Sequence, residues 1–85
     1  MEAKIIKTNG KERAIRPANG TDFSLWELQE AVGGYVEFIH IDESRTMVVD
    51  EEGCLKYKTV NQKASEMAHR VIAGNVLVCD KKMIK

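Results

Sequence analysis

Residues 24–41 read Ser24-Leu25-Trp26-Glu27-Leu28-Gln29-Glu30-Ala31-Val32-Gly33-Gly34-Tyr35-Val36-Glu37-Phe38-Ile39-His40-Ile41, and their periodicity changes once, at the glycine pair. Ser24 and Glu27 have capping-box spacing, in which hydroxyl and carboxylate satisfy each other's free backbone donors. Phe23 and Leu28 take the flanking staple positions. Leu25, Leu28, Ala31 and Val32 then recur as one apolar helical face, from which Trp26 points away. Gly33 ends the helix, because it takes the left-handed C-terminal conformation without steric cost. From Tyr35 to Ile41, β-branched and aromatic residues follow almost continuously. That composition predicts a strand mostly apolar on both faces, and so a central one.

On the N-terminal side, Ala3–Lys7 and Arg13–Arg16 flank Asn9-Gly10, a dipeptide that tolerates the positive φ angles of hairpin turns. A hairpin over residues 3–16 follows, closed by Pro17, which cannot donate to a strand ladder. On the C-terminal side, Thr46–Asp50 returns antiparallel to residues 35–41 after the turn Asp42-Glu43-Ser44-Arg45. Residues 54–60 alternate weakly and are consistent with a short strand or an extended loop. Asn61 is a good N-cap for a second helix whose face is Ala64, Met67, Ala68 and Val71. Val76-Leu77-Val78-Cys79 is a last buried strand. The expected fold is α+β: an antiparallel or mixed sheet of about five strands, order ββαββ(β)αβ, with both helices packed on one face.

The chain has 85 residues, 44% of them hydrophobic and 31% charged, which predicts one folded domain spanning 1–85. Thirteen basic residues balance thirteen acidic ones, which argues against a general nucleic-acid binder. No apolar run reaches the roughly 18 residues of a membrane helix, and Met1-Glu2-Ala3-Lys4 lacks a leader's apolar segment. A cytoplasmic protein is expected, with Cys54 and Cys79 as reduced thiols.

Catalytic chemistry finds little support. The two Cys and two His are isolated from one another, so neither zinc nor a nucleophile–base pair is expected, and no cofactor is. His40 within an apolar strand reads as a satisfied structural histidine, and His69 as solvated. The acidic runs Asp42-Glu43 and Asp50-Glu51-Glu52 coincide with turns and read as solvated. Binding features are clearer. Trp26 lies off the core face of its helix, Lys56-Tyr57-Lys58 interleaves a ring between two cations, and Arg13, Arg16 and Arg45 can grip a phosphate in bidentate fashion. An ordinary amphipathic edge strand, whose lysines discourage edge pairing, is the better account of Lys56-Tyr57-Lys58.

The order Leu28-Gln29, Val32-Gly33-Gly34-Tyr35-Val36-Glu37, Val49-Asp50-Glu51-Glu52-Gly53, Asn61 with Ala64, and Ile72-Ala73-Gly74-Asn75-Val76-Leu77-Val78 resembles one family. It is the domain of unknown function 3846, found in small proteins of bacteriophages and mobile elements. Gly74-Asn75 stands where that pattern has Gly-Asp. The resemblance implies a setting and carries no catalytic residue. Small phage accessory proteins often act in counter-defence, sequestering a nucleotide immune signal or covering a host protein, and this is analogy only.

The leading expectation is therefore a non-enzymatic homo-oligomer that sequesters a cyclic-nucleotide-type signal at a subunit interface. Trp26, Tyr35 and Tyr57 would stack on bases, while Arg16, Arg45, Lys56, Lys58 and the Gly33-Gly34 amides hold phosphates beside Asn61. The alternative is a protein–protein module that inhibits or adapts a host or phage protein through Trp26. A single-stranded nucleic-acid factor ranks third and an enzyme last.

Overall fold

The computed structural model describes residues 3–84; the Met1-Glu2 start considered above lies outside it. Strands β1 (Ala3–Ile6) and β2 (Glu12–Ile15) form the N-terminal hairpin. Helix α1 (Leu25–Val32) leads into the hairpin of β3 (Val36–His40) and β4 (Arg45–Asp50). Helix α2 (Gln62–Ala68), β5 (Val76–Asp80) and a 3₁₀ turn (Lys81–Met83) complete the chain. The five strands make one sheet in the order β2-β1-β5-β4-β3, and every pairing is antiparallel. The α+β class and the element order are those expected from the sequence.

Two expectations change and one open reading is decided. The composition of residues 35–41 predicts a central strand, yet β3 is an edge strand and β5 lies at the centre, between β1 and β4. Residues 54–60 form no strand: 54–57 are turn, 58–59 are irregular, and Val60 makes a single bridge to Ala73. The two helices, expected on one face, cover opposite faces. Leu28 and Val32 of α1 pack with Val48, Leu77 and Cys79, whereas Ala64 of α2 packs with Met47, Val49, Val76 and Val78. Strand alternation explains this: Met47, Val48 and Val49 point in turn to the two faces, and all three are buried. A strand apolar on both sides needs cover on both sides.

The capping signals of α1 behave as read. Ser24 accepts from the Glu27 amide, Glu27 accepts in turn from the Ser24 amide, and Gly33 takes φ 78° at the C-terminus. Phe23 and Leu28 are both buried, but Leu25 in the first turn is exposed rather than core. In α2, Asn61 caps as expected, while Val71 lies beyond the helix and is exposed.

Candidate functional site

The site begins with Asp50, whose acidic surroundings in sequence read as a solvated turn but whose side chain is fully buried. A buried carboxylate is costly unless paired and hydrogen-bonded, and Asp50 is both. Lys58 Nζ lies 2.6 Å and Lys56 Nζ 3.0 Å from Oδ2, while the Glu52 amide donates to Oδ1 at 2.9 Å. Burial alone would push this carboxyl up. Lys58, the Glu52 amide and Lys56 more than offset it, and the group is held below the usual carboxylate range.

The same lysines finish α1. Lys58 Nζ donates to the Val32 carbonyl at 2.8 Å, and Lys56 Nζ approaches the Gly33 carbonyl at 3.5 Å. The last turn of α1 has no basic residue of its own, so Lys58 supplies the positive charge its C-terminal carbonyls favour. One buried acid thus ties the end of β4, the 53–58 turn and the end of α1 together.

Gly34 belongs to this arrangement through space rather than φ. A Cβ there would lie 2.5 Å from Lys56 Nζ and 2.8 Å from Asp50 Oδ2. The lysine tip can move, but the buried carboxylate cannot without losing partners. Gly34→Ala is therefore expected to cost about 1–2 kcal/mol, read as a lower urea midpoint with an unchanged slope.

Above the triad lies an open cleft of about 610 Å³, lined by Glu30, Gly33, Lys56, Tyr57, Lys58 and Thr8 among others. Of the residues expected to bind ligand, Gly33, Lys56, Tyr57 and Lys58 gather here, and Gly34 and Tyr35 line a shallow depression that shares Lys56. The expected phosphate cradle is not open, because the Gly33 and Gly34 amides both donate to the Gln29 carbonyl, at 2.8 and 3.3 Å. The amides of Lys56, Tyr57 and Lys58 are likewise engaged, by the carbonyls of Glu52, Cys54 and Gly53.

The remaining expected residues lie elsewhere. Trp26 is exposed and borders a depression with Arg13, Ile15 and Glu30. Arg16 is exposed just past β2. Arg45 pairs with Asp42 at 2.9 Å in the β3–β4 turn, about 17 Å along β4 from Asp50. That contact, helped by the Ser44 and Arg45 amides, holds Asp42 down at about 2. Asn61 is completely buried and presents nothing to a ligand.

A model described as domain of unknown function (DUF3846) matches residues 1–83. The chain belongs to this family. No curated protein and no solved structure matches it. For this DUF3846 member the residues therefore carry the chemical inference. Cys79 is buried against α1, and burial followed by the Asp80 charge pushes its thiol up to about 11, which keeps it protonated and un-nucleophilic. Cys54 is exposed and unpaired. His40, expected to be a satisfied interior histidine, is exposed and meets Lys81 Nζ at 2.8 Å. Among the described residues, no three His, Cys, Asp or Glu side chains are grouped to hold a metal ion, and no helix is long and apolar enough to cross a membrane.

Sequence reasoning missed Asp50. A signal did exist: an acid closing an apolar strand, followed at six and eight residues by lysines. Nothing in that spacing, however, reveals that Gly34, sixteen positions upstream and just past α1, would pack against the carboxylate.

Proposed function

We propose that the chain is a non-enzymatic binding module that engages a protein partner stoichiometrically through the 53–58 turn, with Tyr57 as its anchor. One observation carries this reading. Tyr57 is 94% exposed and yet adopts φ 57°, in the left-handed region. For a bulky residue that conformation costs on the order of 1 kcal/mol, and strain of this kind persists where the surroundings impose it. Here they do: Lys56 and Lys58, on either side, are both drawn inward to Asp50, which turns the ring between them outward. Leu55 beside it is 75% exposed. A backbone already fixed on either side of the ring leaves less chain entropy to lose on docking, and exposed aromatics are common interface hot spots. The reading accords with a phage or mobile-element accessory factor that covers a host or phage protein in the cytoplasm, the setting the family resemblance implies.

A second reading, sequestration of a small nucleotide, is favoured by the gathering of Gly33, Lys56, Tyr57 and Lys58 on one cleft. It is weakened by the engagement of both lysines with Asp50 and by the Val32 and Gly33 carbonyls that lie among them.

The test is Tyr57→Gly. Glycine accepts the left-handed backbone, and its looser unfolded chain offsets the relief, so stability is expected to stay within about 0.5 kcal/mol. Co-purification of the partner from host lysate is expected to be lost with Tyr57→Gly and retained with Trp26→Ala. An unchanged partner list for Tyr57→Gly removes this surface. Calorimetric heat with a cyclic nucleotide, abolished by the same substitution, favours the second reading instead.

A further inference from the structure

The composition of β3 and its position disagree. Residues 35–41 are mostly apolar on both faces, as a central strand would be, but β3 lies at the end of the sheet, and among the described residues no strand pairs with its outer edge. The other edge is protected in the usual ways. β2 carries Glu12 and Arg13, is followed directly by Arg16-Pro17, and is tied to α2 by Lys63 on Glu12. β3 has no proline, lysine or arginine; its one acid, Glu37, is neutralised by Arg70 at 3.2 Å, and its Phe38 is 49% exposed.

We propose that β3 is a self-pairing edge: two copies of the chain join antiparallel through Val36–His40, merging their five-stranded sheets into one. The occupant is a second copy because the strand complements itself. Centred on Phe38, antiparallel pairing sets Phe38 against the partner's Phe38, Val36 against the partner's His40, and Glu37 against the partner's Ile39. No like charges stand opposite, and an aromatic pair lies on the twofold axis. A chain with thirteen basic and thirteen acidic residues adds no net repulsion between copies. The expected oligomer thereby gains a specific interface, separate from Tyr57 and independent of the partner-binding reading. A five-residue edge is a small interface, so association in the micromolar range is expected.

Sedimentation equilibrium from about 10 to about 500 µM tests it, across the range where a micromolar dimer changes population. The wild-type mass is expected to rise from 9.6 kDa towards twice that value. Phe38→Lys sets two ammonium groups face to face and is expected to weaken the dimer at least about tenfold. Far-UV circular dichroism should stay unchanged, and the thermal midpoint should match wild type at dilutions where both chains are monomers, since Phe38 is half exposed. Mixing Phe38→Lys with Phe38→Glu should restore the doubled mass. A wild-type chain that stays at 9.6 kDa throughout overturns the proposal, and so does a dimer indifferent to Phe38→Lys.

Discussion

Replacing Asn61 with alanine is expected to destabilise the protein by about 3–5 kcal/mol, the largest effect of any polar substitution here. The side chain is 0% exposed and every polar atom on it is engaged. Its Oδ1 accepts from the Ala64 amide at 3.0 Å and so caps α2. Its Nδ2 donates to the Ile6 carbonyl at 2.9 Å and to the Gly74 carbonyl at 3.0 Å. One amide therefore joins the end of β1, the approach to β5 and the start of α2. Loss of the cap costs about 1 kcal/mol, and each buried group left without a partner adds about 1–3 kcal/mol. Domains of this size have only about 5–10 kcal/mol in total, so a large part of the margin goes. Asn61→Asp is the informative companion. It keeps the capping oxygen but replaces the donor with a second acceptor that faces two carbonyls, so it is expected to lose as much as alanine. Urea unfolding of both variants checks this, and an Asn61→Asp protein close to wild type in stability would refute the donor role.

Asn61 also marks how far the sequence can be read. Its capping of α2 is legible, because a cap is a local signal acting over three residues. Its bonds to Ile6 and Gly74 span 55 and 13 positions, and no local pattern encodes them. The same division holds elsewhere. The capping box at Ser24 and Glu27, the Gly33 stop and the Asn9-Gly10 turn are local and appear as read. Strand order is not local. The apolarity of 35–41 reports what its two faces touch, not whether another strand lies beside it. Helix placement on opposite faces is encoded more directly, since Met47-Val48-Val49 and Val76-Leu77-Val78 are apolar on both parities and require cover on both sides. For the site, Lys56-Tyr57-Lys58 stands out in the sequence as unusual, yet its lysines read there as open cations. Their partner, Asp50, is recognisable only once Gly34 is seen to pack against it.

Asp50→Asn is the second large expected effect, and its pH dependence separates charge from shape. Asparagine preserves the volume and an oxygen for the Glu52 amide, but leaves Lys56 and Lys58 without a countercharge. Breaking a fully buried pair costs about 3–5 kcal/mol. These lysine side chains are 39% and 27% exposed and can turn towards water, which lowers the expectation to about 2 kcal/mol. The folded carboxyl titrates below its unfolded value, so its contribution is complete above an unfolded pKa of about 4 and is lost as pH falls through the folded one. The gap between wild type and Asp50→Asn should be constant above about pH 5 and narrow steadily below about pH 4. The other depressed carboxyls, Asp42, Glu12 and Glu27, titrate in both proteins and cancel in the difference. A gap that stays constant down to about pH 2 would mean that packing, not charge, holds the site. The substitution reaches function through the backbone. Without the carboxylate's charge Lys56 and Lys58 keep only the Val32 and Gly33 carbonyls as inward partners, so the amides of residues 56–58 should exchange hydrogen faster, and the backbone at Tyr57 should be held less firmly. Partner capture should then weaken in Asp50→Asn although Tyr57 itself is intact. Unchanged exchange and full capture would detach the triad from the binding surface.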